Sequence, residues 1–375
     1  MRNLFPLLGL TVSTIVPVPE KQVPVSYSFT ALAVAYFDKA GCQVGNVDIT
    51  STAPERIPEV GETVFTDKEE YLLTATLGEG TDSRVFKGVA NGKEAAVKFQ
   101  MYPDYSRQDS VETDFRILSI MNADGFGDKF PSVYFLSELG ALVRDGEIYN
   151  LRYLVMQLLG SPVLALLKDY GHTFPIHTVA SIGIQVTEIL EKLHSASLIH
   201  GDIHLENILF TYDATKVDEY GQVYTDRVIL GDYGKSVPYK NSNGDHIQNG
   251  AIEISSKRNL LHLSPYELNL EIPSRREDIF RMMESLVRMC GERQYTAQFR
   301  GDQQNNRLYV LNAKLTADLS NVFPNMDKRL IELYNYSRKM AFEEVPNYVK
   351  IRSTLIDILT AVGRTYDNKV ILPNQ

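Results

Sequence analysis

Residues 198–210 read L-I-H-G-D-I-H-L-E-N-I-L-F, and no other stretch so narrows what this chain can become. Leu198 and Ile199 lead in, Ile208, Leu209 and Phe210 lead out, and a tight polar loop lies between them. Short apolar runs bounded by polar turn residues read as strands. On the loop, Asp202 and Asn207 stand five positions apart. A carboxylate there can accept the proton of an incoming hydroxyl, and a carboxamide can give a neutral oxygen to a divalent cation. An ordinary polar turn between two strands is the competing reading, and the remainder of the chain decides between them.

The chain has 375 residues, enough for one large two-lobed domain or two ordinary ones. Its formal net charge of -9 argues against a nucleic-acid partner, because no basic excess exists to replace counterions along a phosphate backbone. Cys42 and Cys290 are the only cysteines, which leaves neither a disulfide framework nor a cysteine zinc site. A reducing compartment, cytoplasmic or nuclear, is the expectation. Secretion is the alternative, because Arg2 precedes an apolar run from Leu4 to Val18. That run lacks a clean cleavage site, and it is too short and too Pro-rich to insert stably in a membrane. The sequon Asn335-Tyr336-Ser337 falls in a predicted packed helix and adds nothing to the secretory case.

Residues 1–65 form a Pro-rich extension, with a signal-like segment at 1–20 and one apolar stretch, Tyr27 to Phe37. From Glu70 the pattern sharpens. Y-L-L-T-A-T-L-G-E-G-T-D-S-R-V-F-K-G reads as two strands joined by a glycine turn, where Gly78, Gly80 and the small Ser83 permit close backbone approach. Lys98 then sits inside the apolar strand Ala95–Phe99, where an amine is costly unless paired, or else lies on an exposed edge. The next helix carries two acids, Glu112 and Asp114, with apolar residues at helical spacing. Tyr153–Met156 reads as a buried strand leading to Gln157-Leu158-Leu159-Gly160. Val179, Ile182, Val186, Ile189, Leu190 and Leu193 mark a helix of about four turns that delivers the chain to the loop. Beyond it, Val228–Leu230 is a strand, and Asp232 follows in Gly231-Asp232-Tyr233-Gly234, a placement suited to a metal-binding carboxylate. Thr211 to Asp226 reads as a lengthened hairpin.

In this order and spacing the pieces resemble the protein kinase family over about residues 70 to 360. The loop is similar to H-x-D-x-x-x-x-N, the glycine turn to G-x-G-x-x-G-x-V with Ser83 at the third glycine, Ala96-Val97-Lys98 to V-A-I-K, and Asp232-Tyr233-Gly234 to Asp-Phe-Gly. Ser274–Asp278 and Phe342–Tyr348 resemble elements of the casein kinase 1 group, and H-G-D with D-Y-G resembles its vaccinia-related branch. The resemblance implies an α+β bilobal fold: a small antiparallel-sheet N-lobe at 66–157, a mainly helical C-lobe at 158–365, a tail at 366–375, and ATP in the cleft between the lobes.

It further implies a serine/threonine protein kinase, a monomer, using ATP and Mg2+ on a protein substrate. Asp202 would accept the hydroxyl proton. Lys98, paired with Glu112 in preference to Asp114, would orient the phosphates, and Asn207 and Asp232 would hold the metal. Leu77, Gly78, Glu79, Gly80, Ser83, Val85, Ala96, Met156, Leu158, Leu159 and Leu209 would line the nucleotide site, and Asp278 would brace the loop. Three departures stand out. Gly201 replaces the arginine that receives an activation-loop phosphate, so no such phosphorylation should be needed. His204 stands where kinases place a lysine on the transferring phosphoryl group, which predicts transfer slower by about tenfold or more. The segment Asn259–Glu267 has Ser264-Pro265 for the usual Ala-Pro, with Glu267 one residue late. His204 and this segment leave a nucleotide-binding pseudokinase scaffold as an alternative, and H-G-D-x-H-x-x-N leaves a small-molecule phosphotransferase.

Overall fold

The computed structural model describes residues 58–80, 83–100, 110–137, 140–144, 147–213, 215–216, 225–254, 259–299 and 306–373. The expected signal-like segment, the Tyr27–Phe37 stretch and Cys42 lie outside the described residues. The chain divides into two compact units, one made of the residues up to Phe115 with Val133–Gln157, the other of Arg116–Ser132 with Leu158 onward.

The first unit is built on strands β1 (Thr63–Phe65), β2 (Glu70–Glu79), β3 (Ser83–Ala90) and β4 (Lys93–Gln100), followed by helix α1 (Ser110–Ala123), within which the division between units falls. Strands β5 (Val133–Leu136), β6 (Gly140–Arg144), β7 (Glu147–Leu151) and β8 (Tyr153–Gln157) complete it. Six of these form one sheet in the order β1-β2-β3-β4-β8-β5, antiparallel throughout, while β6 and β7 make a separate hairpin. Tyr71 and Leu73 alternate with exposed residues along β2 and face a core of Val64, Phe86, Val97, Phe99, Tyr153 and Val155. Burying an aliphatic or aromatic side chain of this size contributes roughly 1.5–3 kcal/mol. Strand β4 has partners on both sides and is buried from Ala95 to Phe99. Lys98 is therefore an interior lysine and not an edge one.

The second unit is mainly helical. Strand β9 (Leu159–Pro162) and helix α2 (Val163–Asp169) precede the long helix α3 (Ile176–Ser195). The periodicity located α3, but it runs further than the apolar positions alone suggest, starting directly after Pro175, whose fixed φ suits a helix entrance. Strands β10 (Leu198–Ile199), β11 (Ile208–Thr211), β12 (Val228–Leu230) and β13 (Val237–Pro238) frame the loop and the Gly231–Gly234 turn. The strands flanking the expected hairpin pair antiparallel, with Ile208 opposite Leu230 and Phe210 opposite Val228, while most of Thr211–Asp226 lies outside the described residues. Helices α4 (Pro265–Leu268), α5 (Arg275–Met289), α6 (Glu292–Ala297), α7 (Arg307–Thr316), α8 (Leu319–Val322), α9 (Lys328–Ser337) and α10 (Tyr348–Ala361) follow. Helix α5 is buried on nearly every face, and α3 and α10 pack side by side, with Leu355 Cδ1 3.0 Å from where a Cβ on Gly183 would sit. No helix among the described residues is long and apolar enough to cross a membrane.

Candidate active site

The candidate residues fall into two sets, one in each unit. In the sheet unit, Leu77, Gly78 and Glu79 end β2 and lead to Gly80, whose N–H donates to the Ser83 carbonyl at 2.8 Å to close the hairpin. Ser83 and Val85 open β3, and register sets Gly78 opposite Val85, Val85 opposite Lys98, and Ala96 opposite Met156.

Lys98 is 2 % exposed, and its Nζ lies 2.5 Å from Asp114 Oδ2, itself on a residue 1 % exposed. The expected partner, Glu112, is corrected by this geometry, because Glu112 Oε2 accepts instead from Arg152 Nη2 at 2.6 Å. The helical repeat gives the reason. Val111, Asp114, Leu118 and Met121 recur at three- and four-residue steps and form the buried face of α1, and Glu112 points off that face. The same spacing, applied to the acid as well as to its apolar neighbours, would have singled out Asp114.

In the helical unit, the loop is held from beneath by Asp278, which is fully buried on the first turn of α5. Its carboxylate accepts from the backbone N–H of His200 at 2.7 Å and of Gly201 at 2.9 Å, and its Oδ2 lies 2.9 Å from His194 Nε2. Burial would raise the Asp278 carboxyl, but these hydrogen bonds and the neighbouring imidazoles bring it below the ordinary carboxylate value. The brace expected at Asp278 is present in the structure. His200 is fully buried, and burial pushes its pKa down despite the pull of Asp278, Asp202 and Asp232. Its Nε2 donates to the Gly231 carbonyl at 3.1 Å and its Nδ1 accepts from the Asp202 N–H at 3.2 Å, so the neutral ring is satisfied at both nitrogens.

Asp202 is 5 % exposed. Its Oδ2 meets Lys235 Nζ at 2.6 Å and its Oδ1 meets Arg281 Nη1 at 3.3 Å. Burial raises the Asp202 carboxyl, yet His204, Lys235 and Arg281 together hold it well below the usual carboxylate range. Of the three, His204 is the most distant, with Nε2 at 3.8 Å, beyond hydrogen-bonding length. The His204 ring is stacked on His262, centroids 4.6 Å apart. Asn207 donates its side-chain amide to the Asp202 carbonyl at 2.9 Å, which fixes the orientation of its carboxamide. Asp232 stands in the left-handed region at φ 59°, and its Oδ1 accepts from the Gly234 N–H at 3.3 Å. Leu159 and Leu209 converge on Gly231 just before it: a Cβ on Gly231 would lie 2.7 Å from Leu209 Cδ1 and 4.0 Å from Leu159 Cδ1.

Glu267 lies where its spacing from Ser264 demands. Ser264 caps α4, its Oγ accepting from the Glu267 N–H while the Glu267 side chain accepts from the Ser264 N–H, a capping box with Pro265 in the first turn. The Glu267 carboxylate also takes Arg281 Nη2 at 2.6 Å. Arg281 and Lys235 were not among the sequence candidates. Arg281 carried a signal: it stands one helical turn beyond Asp278 among Ile279, Phe280, Met282 and Met283, and a charge in so apolar a stretch must be paired. Lys235 carried none beyond its place after Gly234.

Residues 72–251 match the family model described as protein tyrosine and serine/threonine kinase. The chain is 26 % identical over 316 residues to casein kinase 1-like protein HD16 of Oryza sativa, covering 81 % of this chain and 41 % of that protein. It is 23 % identical over 309 residues to casein kinase I homolog 1 of Saccharomyces cerevisiae, 80 % of this chain and 52 % of the other. With casein kinase I homolog 3 of Schizosaccharomyces pombe the identity is 26 % over 309 residues, 80 % and 64 % of the two chains. The chain thus spans less than two thirds of the length of each of these relatives. With an antiparallel-sheet unit, a helical unit and a loop braced by Asp278, the chain matches a protein kinase domain over residues 72–251 and is similar over most of its length to casein kinase 1 homologues.

Proposed function

We propose that the chain is a serine/threonine protein kinase that transfers the γ-phosphate of ATP to a protein hydroxyl with the help of Mg2+. The observation that carries this reading is Asp202, a buried carboxylate kept ionised by His204, Lys235 and Arg281 on a loop whose backbone is tied to Asp278. A carboxylate held so far below its usual range is a weak base. It suits a transfer in which the hydroxyl is oriented first and gives up its proton late.

Asn207 and Asp232 are the residues that would hold the metal, and both offer the hard oxygen donors that Mg2+ prefers. Among the described residues no group of three or more His, Cys, Asp and Glu side chains is placed to hold a metal ion. When bound, the ion would neutralise charge on the β- and γ-phosphates. Lys98, fixed by Asp114, would orient the phosphates. Leu77, Gly78, Glu79, Gly80, Ser83 and Val85 would cover the nucleotide, and Ala96, Met156, Leu158, Leu159 and Leu209 would flank its base. The vaccinia-related branch rests on His200-Gly201-Asp202 and Asp232-Tyr233-Gly234 and belongs with this proposal.

The test is Asp202→Asn in the purified chain, with transfer of labelled phosphate to a generic acidic protein substrate. Loss of the general base should lower kcat at least about a hundredfold. Transfer at the wild-type level in this variant would discard the reading.

A further inference from the structure

His204 occupies the loop position of the kinase lysine, yet its ring stops 3.8 Å from Asp202 Oδ2 and stacks on His262 instead. The cation that does reach this oxygen comes from elsewhere in the chain. Lys235, the residue directly after Asp232-Tyr233-Gly234, puts its Nζ 2.6 Å from Asp202 Oδ2.

Three constraints fix the Lys235 backbone beside the loop. Strand β13 pairs with β10, Ile199 opposite Val237, two residues on from Lys235. Ser236 Oγ donates to the His200 carbonyl at 3.2 Å. The Lys235 carbonyl oxygen lies 2.7 Å from where a Cβ on Gly201 would sit, and Gly201 has φ +75°. Only a residue without Cβ accepts both that conformation and that contact cheaply. Glycine at 201 accommodates the close approach of the segment after Asp232, and Lys235 on that segment reaches the carboxylate. The Lys235 side chain remains 41 % exposed while that of Asp202 is 7 % exposed. Its ammonium has three donors on a flexible stem, so it can keep one on Asp202 and turn another to a second oxygen.

We propose that Lys235 takes the part of the absent loop lysine, bridging Asp202 and the phosphoryl group during transfer. This rests on the kinase reading above. The substrate hydroxyl oxygen bonds to the γ-phosphorus as the bond from that phosphorus to the bridging oxygen of ADP breaks, and the bonding pair leaves on ADP. The hydroxyl proton passes to the Asp202 carboxylate. Lys235 keeps all its protons, donating one hydrogen bond to Asp202 and one to a non-bridging phosphoryl oxygen. A kinase rate substantially retained despite His204 is the consequence.

The experiment compares the wild-type chain, Asp202→Asn, Lys235→Met, Lys235→Arg and the double variant Lys235→Met with His204→Lys, measuring kcat, KM for ATP and the melting temperature. Lys235→Met is expected to lower kcat on the order of a hundredfold with KM changed less than about threefold, the signature of a donor used in the transition state. Its melting temperature should move little, because the side chain is partly exposed. Lys235→Arg should keep much of the rate, and His204→Lys in the Lys235→Met background should restore about tenfold or more by returning an amine to the loop. A Lys235→Met variant with kcat within about twofold of wild type, or above it, overturns the assignment, as does a loss that neither Lys235→Arg nor His204→Lys relieves. Those outcomes leave the kinase reading intact if the wild type shows Asp202-dependent transfer. A wild type without such transfer removes both.

Discussion

An ammonium inside a sheet is tolerable only beside a carboxylate, and at Lys98 the carboxylate is Asp114, at 2.5 Å with side chains 3 % and 1 % exposed. Removing one partner of so buried a pair leaves a charge without compensation, at a cost of about 3–5 kcal/mol. Glu112 is different: its ion pair with Arg152 is about a quarter to a third exposed, in the range where such pairs contribute up to about 1 kcal/mol. Asp114→Ala should therefore destabilise the chain by about 3 kcal/mol or more in urea unfolding and abolish transfer, with Glu112→Ala costing under about 1 kcal/mol. Equal effects of the two changes would return Glu112 to the role expected from the family pattern. The same logic explains Asp202, whose buried carboxylate is stable as an anion because cations from two other segments reach it.

At the scale of elements, the first turns of helix α5 do most of the positioning. Ser274 and Glu277 form a capping box that satisfies its N-terminus, so the helix can begin abruptly where Asp278 must face the loop. One turn later Arg281, 1 % exposed, takes both Asp202 and Glu267 and so joins α5, α4 and the loop. Arg281→Met keeps the volume but leaves two buried carboxylates without their shared cation. A destabilisation of about 3–5 kcal/mol is expected, together with loss of transfer. Retention of wild-type urea stability in this variant would show that the guanidinium is not what holds α4 against α5. Lys314 on α7 works in a similar way, its buried Nζ 2.6 Å from Glu284 and 2.8 Å from the Leu261 carbonyl. It fixes the turn that carries His262 onto His204.

For the molecule as a whole, distant parts of the chain converge on the loop through one buried line of contacts. Tyr348 on α10 puts its hydroxyl 2.6 Å from His194 Nδ1, His194 Nε2 meets Asp278, and Asp278 holds the His200 and Gly201 N–H groups. The C-terminal signature is thus tied to the same point as the loop motif. Stability of this unit should depend on pH through His262. Burial, reinforced by His204 and Arg288 and opposed by Asp202, pushes that imidazole down to about 3 in the folded chain. Unfolded, it titrates near 6.5. Between those values the unfolded chain binds a proton that the folded chain does not. The contribution is complete above about pH 6.5 and is lost as the pH falls toward 3. From pH 7.5 to 5 the loss is about 2 kcal/mol, and His200, also depressed by burial, acts in the same direction. Chemical denaturation at the two pH values should show a decline smaller by about that amount in His262→Gln. An unchanged decline would place the proton elsewhere.

The sequence by itself determined the elements and the order of the motifs: the glycine hairpin, the lysine strand, the long helix, the loop with Asp202 and Asn207, and the turn with Asp232. Each is written in contacts between near neighbours, where alternation, helical repeat and turn residues act over a few positions. Only the tertiary structure decided which acid holds Lys98 and which cations hold Asp202. Those partners stand 16, 33 and 79 residues apart for Asp114, Lys235 and Arg281 respectively. A pairing at such separation depends on how one helix face turns toward a sheet and how closely two backbones approach at Gly201. Neither is expressed in local pattern, since the charge of a side chain says that it needs a partner but not where the fold will supply one.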